Sequence, residues 1–121
     1  MVNYEKSFRE GIQHMSEFNK VRRKIMTISK TLDGDKLVIA LEGRLDTVSS
    51  PDLEKEIKEV PASVKEIVMD LENLEYISSA GLRVFLYIQK KMAGGMKIIH
   101  ANEIVREVFE VTGFIDTFTV E

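Results

Sequence analysis

The chain has no cysteine, no tryptophan, only two prolines and only two histidines. Without cysteine there is no disulfide framework, no thiolate metal site and no cysteine nucleophile. No apolar run approaches the roughly 20 residues that a bilayer-spanning helix needs, and the N-terminus mixes charges with apolar residues where a signal peptide would have an apolar core. We therefore expect a cytoplasmic protein that does not enter a membrane.

The length and charge of the chain point to one ordinary globular domain. Its 121 residues, 44% of them hydrophobic and 31% charged, suffice for a single core. Residues 1–25 hold six basic and three acidic side chains, whereas the remainder holds eleven basic and seventeen acidic ones. Because nucleic-acid binding requires a basic face, this acidic body argues against a nucleic-acid partner.

We divide the chain into an N-terminal extension, residues 1–25, and a body, residues 26–121. In the extension Phe8, Ile12 and Met15 recur at helical spacing, which predicts a short amphipathic helix. Such a helix would serve as a docking element or as a homodimer contact. Alternatively it packs onto the body, or it belongs to an upstream extension of the reading frame.

The body alternates strand and helix patterns. Asp33-Gly34 predicts a hairpin turn, Ser50 a helix cap before Pro51, and Asp70 the start of a loop after a short buried strand. The predicted elements, in order, are a hairpin over 26–31 and 36–41, a helix over 51–60, a strand over 67–69, a helix over 79–93, a strand over 96–99, a helix over 102–112 and an edge strand over 114–120. This order predicts an α/β fold, a four- or five-stranded mixed sheet with about three helices, mostly parallel with an antiparallel first hairpin.

The chain offers little for catalysis. His14 lies in the N-terminal extension and His100 at the end of a predicted strand, so we expect neither a zinc site nor a His-based triad. Ser79-Ala80-Gly81 would suggest a nucleophile elbow, but Ile77 stands where that motif needs glycine. We therefore expect no enzyme activity, no metal and no cofactor; a serine nucleophile at position 79 is the alternative from a different functional class.

One polar pair stands where open α/β sheets present their ligand sites. Ser78 and Ser79 open a helix directly after a strand, and Asp46 follows the preceding strand of the sheet. If those strands are parallel neighbours, Asp46 and Ser79 lie at the same sheet end. The plain interpretation is that Ser78 is the helix cap and Ser79 a first-turn residue.

The body resembles a STAS domain of the anti-sigma factor antagonist kind. The resemblance covers about residues 26–120 and is carried, in order, by Leu41-Glu42-Gly43-Arg44-Leu45-Asp46, by Asp70-Leu71 and by Tyr76-Ile77-Ser78-Ser79-Ala80-Gly81-Leu82-Arg83. The best-known members have Asp in place of Ser78 and Ser or Thr in place of Ala80.

The resemblance implies a phosphorylation switch. Such a protein, when unphosphorylated, binds an anti-sigma factor serine kinase and frees a sigma factor, and a PP2C-like phosphatase resets it. The phosphoacceptor carries over to Ser79, with Asp46, Ser78 and Gly81 supporting the site. The alternative within the same fold is a regulatory STAS subunit for a transporter, a secretion regulator or a stress-sensing complex.

The helix after Ser79 also offers a recognition face. At about 100° per residue, one polar stripe is predicted, made of Arg83, Tyr87, Lys90 and Lys91. Val84 lies beside it, and we expect Arg83, Val84 and Tyr87 to contact a partner. A plain solvated helix face is the alternative.

Overall fold

The computed structural model describes residues 26–121. Its elements are β1 Met26–Asp33, β2 Lys36–Leu45, α1 Ser50–Lys58, β3 Glu66–Ile77, α2 Ser79–Lys91, β4 Met96–Ile99, α3 Glu103–Thr112 and β5 Thr119–Val120. The amphipathic helix expected in residues 1–25 lies outside the described residues.

The five strands form one mixed sheet in the order β1-β2-β3-β4-β5. β1 and β2 form the antiparallel hairpin, turning at Gly34 with φ of 65°, and the other neighbouring pairs are parallel. Each helix connects one parallel strand to the next, always in the same direction across the sheet. Because such crossovers are right-handed, all three helices lie on one face. The predicted α/β architecture is confirmed.

The hydrophobic core lies between that sheet face and the helices. It contains alternate residues of the central strands, such as Ile39 and Met69, and the inner faces of the helices. Phe85 of α2 and Phe109 of α3 are fully buried, with ring centroids 6.4 Å apart. Phe118 completes this aromatic cluster at 6.1 Å from Phe85 and 5.7 Å from Phe109.

Two strand predictions need correction. β3 does not end at Asp70 but continues to Ile77, and Leu71, Leu74 and Ile77 along it are fully or almost fully buried. The pairing with β2 shifts register between Ala40 and Glu42 and again after Gly43, so the burial pattern departs from strict alternation. The predicted exit loop is therefore the second half of a twelve-residue strand.

The predicted edge strand over 114–120 is mostly a series of turns, and β5 is only Thr119–Val120. The amide of Phe118 donates to the carbonyl of Phe114 at 2.9 Å, and their rings stack with centroids 5.0 Å apart. Gln89 of α2 fixes the same segment, since its side-chain amide donates to the Thr117 carbonyl at 2.6 Å. The apolar residues of this segment predict a strand by their pattern, but Phe114 and Phe118 instead pack in the aromatic cluster.

Candidate functional site

Ser78 and Ser79 have different surroundings at the start of α2. Ser78 is the N-cap; its hydroxyl accepts from the Gly81 amide at 3.5 Å, and its own amide donates to the Leu45 carbonyl at 2.9 Å. Ser79 is the first helical residue and is exposed. The structure therefore ties Ser78 to the backbone and presents Ser79 to solvent at the positive end of the helix dipole.

Gly81 brings α2 close to the end of the sheet. A Cβ added there would lie 2.7 Å from Cγ of Leu45 and 2.9 Å from Cγ1 of Ile77. Both neighbours are core side chains at the ends of β2 and β3 and are register partners. Because any larger residue would clash here, glycine allows the first turn of α2 to pack directly against the ends of β2 and β3. Gly81 thereby fixes the position of Ser79 relative to the strand ends.

Asp46 lies at the same end of the sheet as the serine pair, because Leu45 and Ile77, the residues before each, are register partners. Its Oδ1 accepts from the backbone amides of Val48 at 3.0 Å and Ser49 at 3.2 Å. Arg44 is its ionic neighbour, with Nε at 4.0 Å from Oδ2. Asp46 therefore shapes the loop between β2 and α1, beside the N-terminus of α2.

The cap of α1 differs by one residue from the prediction. Ser49, not Ser50, occupies the N-cap position, and its side chain makes no capping bond. The Ser49 hydroxyl instead donates to the Arg44 carbonyl at 2.7 Å and accepts from the Asp46 amide at 3.0 Å. Pro51 is therefore the second helical residue and not the first, and it still lies in the first turn, where its missing amide proton costs no helical hydrogen bond. The Ser49 hydroxyl could bond either to the loop backbone or to the first amides of α1, and the sequence alone does not show which partner it takes.

A groove of about 340 Å³ runs between α1 and α2, and its wall on α2 begins at Ala80, the residue after Ser79. It is lined by Thr47, Ser50, Pro51, Glu54, Ala80, Arg83, Val84 and Tyr87. The three residues expected to contact a partner are thus together in its wall. Arg83 and Tyr87 are exposed, whereas Val84 is only 7% exposed and belongs to the core, so only its edge reaches the groove.

One polar cluster that the sequence pattern does not predict lies just after the end of β4. Nδ1 of His100 lies 2.9 Å from Oδ1 of Asp70, and this hydrogen bond together with the carboxylate charge raises the pKa of His100 above its ordinary value. Glu72 adds a further carboxylate 4.0 Å away. The sequence pattern predicts Asp70 at the start of a loop, whereas the structure has it within β3, where it lies beside His100. Asp70 and Glu72 lie on β3, the strand that leads into Ser79, but they precede its end at Ile77, and His100 follows β4.

None of the helices in residues 26–121 is long and apolar enough to cross a membrane.

Comparison with known proteins identifies the body. A family model described as STAS domain matches residues 26–121. BtrV of Bordetella bronchiseptica, a protein named as a candidate anti-sigma factor antagonist, is 37% identical over 99 residues, which cover 78% of this chain and 84% of BtrV.

The fold of the chain is also similar to the solved structures of anti-sigma factor antagonists. An anti-sigma factor antagonist from Mycobacterium paratuberculosis superposes with a TM-score of 0.71 at 26% identity, over 78% of this chain and 84% of that one. The Bacillus cell fate determinant SpoIIAA in its phosphorylated form gives 0.63 at 20% identity, over 78% and 91%. The latter likeness shows the shared fold.

Proposed function

The chain belongs to the STAS domain family, and we propose that it is an anti-sigma factor antagonist that is switched by phosphorylation of Ser79. In the unphosphorylated state it binds an anti-sigma factor serine kinase and so frees a sigma factor. A PP2C-like phosphatase removes the phosphate and restores binding. Because sigma factors act on transcription, this places the protein in the cytoplasm.

The observation that carries the proposal is the contrast between the two serines. Ser78 is engaged with the Gly81 and Leu45 backbone, whereas Ser79 is exposed and directly precedes Ala80, which lines the groove between α1 and α2. A kinase can reach the Ser79 hydroxyl without breaking the helix cap. The relatives support the proposal through their names, which include antagonists of anti-sigma factors and a phosphorylated form.

The position also suits a switch physically. Phosphorylation adds about 1.5 to 2 negative charges at pH 7, and the unpaired amides and dipole at a helix N-terminus favour that charge. Arg83 lies four residues along α2, one helical turn from Ser79, and its exposed guanidinium adds a positive charge nearby. We therefore propose that the fold tolerates phosphate at Ser79 and remains intact.

The loss of binding follows from the same charge. A partner packed against an uncharged serine would have to accommodate a hydrated dianion, and any carboxylate it presents there would be repelled. Arg83, Tyr87 and the accessible edge of Val84 extend the contact surface along the groove. The chain in this proposal is a regulatory binding module and performs no catalysis itself.

Site mapping tests the acceptor. We would recover the kinase from source cells on the immobilised chain, and then incubate it with ATP and the wild-type, Ser78→Ala and Ser79→Ala proteins. We expect phosphate on wild type and Ser78→Ala, and none on Ser79→Ala, which should still bind the kinase. Modification of Ser78 would refute the assignment, and recovery of a transporter subunit in place of a kinase would favour the alternative STAS role.

A further inference from the structure

The face of the sheet opposite the three described helices, here called the open face, is partly apolar. In the parallel pairs Val38 lies beside Val68, and Asp70 lies beside Ile99. Residues paired in this way share a face, and their neighbours along each strand point into the core. Val68 is 6% exposed and lies outside the core cluster, while Val38 and Ile99 are half-buried. The open face therefore has an apolar centre.

Wholly parallel sheets are found almost always with both faces covered, and in the described sheet only the edge strand β1 departs from the parallel arrangement. Strands β2 to β5 are mutually parallel, yet the three helices that the structure describes all cover the same side. Right-handed crossovers in one direction leave the other side without a helix from this part of the chain. A cover for the open face must therefore come from outside residues 26–121.

Residues 1–25 have the length and starting point to supply that cover. They join β1 at Met26, on the edge of the sheet. A helix spanning positions 8–21 would be about 21 Å long, close to the roughly 19 Å width of five strands. Residues 22–25 would reach about 13 Å when extended, enough to pass around the edge strand.

Charge also favours this segment. Five acidic and three basic side chains surround the apolar centre. The acidic ones are Asp33, Glu42, Glu66, Asp70 and Glu121, and the basic ones are Lys36, Arg44 and Lys97. The segment has the opposite balance, with six basic and three acidic residues. Electrostatic attraction between the segment and the open face would add to the stabilisation from burying apolar side chains.

We propose that residues 1–25 fold back onto the open face as an amphipathic cover, with Phe8, Ile12 and Met15 packed against the apolar centre at Val38 and Val68. The segment then forms the second covering layer of the sheet, on the side away from the groove. This proposal does not depend on the phosphorylation switch, because it concerns the opposite face.

The absence of cysteine permits a sharp cross-linking test in the full chain. Ser29 and Lys30 are both exposed in β1, but Ser29 pairs with Ala40 on the open face, whereas Lys30 pairs with Ile39 and contacts Glu56 of α1. We would combine Ser16→Cys with either Ser29→Cys or Lys30→Cys. Disulfide formation in a redox buffer is then measured by mass spectrometry and gel mobility.

We expect the intramolecular disulfide at position 29 to form about tenfold faster than at position 30, because docking raises the effective concentration on one face only. Equal rates would mean that the segment samples both faces, and a faster reaction at position 30 would place it on the helix side. A concentration-dependent disulfide between chains at position 29 would assign the open face to a second copy. Each of these three results overturns the proposal.

Matched variants test the apolar face of the segment. In the Ser16→Cys, Ser29→Cys chain, the triple change Phe8→Ser, Ile12→Ser, Met15→Ser should abolish the tenfold advantage. The control triple Lys6→Ser, Glu10→Ser, Gln13→Ser lies on the opposite side of the predicted helix, leaves the net charge of the segment unchanged and should retain it. Equal effects of the two triples would contradict apolar docking. Thr31→Cys and Leu32→Cys, the next exposed pair with opposite facing, repeat the comparison if a first variant is unstable.

Discussion

At the scale of single residues, the site depends on one close approach. Gly81 is in contact with the core side chains of Leu45 and Ile77, and any Cβ there would overlap them. The sequence shows a glycine two positions after Ser79, and the resemblance marks it as part of the site. What the sequence cannot show is the reason, since Leu45 and Ile77 meet Gly81 only through the tertiary fold.

We predict that Gly81→Ala lowers the free energy of unfolding by about 1–3 kcal/mol, because the added methyl group forces α2 away from the strand ends. Ser79→Ala, two positions earlier on the same helix and exposed, should change it by less than about 0.5 kcal/mol. Urea denaturation of both variants measures the difference. An unchanged midpoint for Gly81→Ala would show that the helix position is not fixed by this contact.

His100 provides a prediction for pH. Its hydrogen bond to Asp70 raises the pKa, so the native state holds the proton more tightly than the unfolded chain does. The stabilising contribution is therefore present below the unfolded pKa and is lost as pH rises through the raised native value. Asp70→Asn should lower the pKa of His100 in an NMR titration, with Glu72→Gln as a control of smaller effect. A pKa unaffected by Asp70→Asn would contradict the pair.

At the scale of elements, the sequence predicts a helix end correctly where that end is made of contacts between residues close in sequence. Asn102 caps α3 as predicted, its Oδ1 accepting from the Val105 amide at 2.8 Å, and Gly113 ends that helix with φ of 83°. The predicted element bounds are wrong where contacts with residues distant in sequence determine the structure. The shifted cap of α1, the long β3 and the short β5 depend respectively on the Arg44 carbonyl, register shifts against β2 and aromatic packing.

The two confirmed caps should differ in strength. Asn102 makes a 2.8 Å capping bond, and its Nδ2 also donates to the Leu74 carbonyl at 3.0 Å, whereas the Ser78 capping bond is 3.5 Å long. We expect Asn102→Ala to cost about 1–2 kcal/mol and Ser78→Ala about 1 kcal/mol or less. Asn102→Asp keeps the cap but removes the donor to Leu74, so its loss should be intermediate if both bonds contribute. Equal melting temperatures for the two alanine variants would contradict this ranking.

At the scale of the whole molecule, residues 26–121 supply every element of the described sheet and helices and a continuous core between them. We therefore predict that removal of residues 1–25 leaves a body that unfolds cooperatively, even if the open face then loses a cover. Thermal melting followed by circular dichroism and by tyrosine fluorescence should give coincident transitions. Transitions that separate, or a broad non-cooperative loss of structure, would show that the extension belongs to the core.

The fold and the order of its strands could be predicted because alternating elements and right-handed crossovers leave few topologies. The same logic placed Asp46 and Ser79 at one end of the sheet, where the register of Leu45 with Ile77 puts them. The groove between α1 and α2 could not be predicted, since its walls come from two helices far apart in sequence. Their packing depends on the volumes of buried side chains.

The central claim is that phosphate on Ser79 ends partner binding without unfolding the chain. The most direct measurement compares the kinase affinity and melting temperature of the unmodified protein, the protein carrying phosphoserine at position 79, and Ser79→Asp. We predict that phosphoserine abolishes binding, that Ser79→Asp binds weakly, and that both melt at or slightly above the unmodified temperature, because the helix dipole favours negative charge there. Full-strength binding by the phosphorylated protein, or binding lost only together with the fold, would contradict the account.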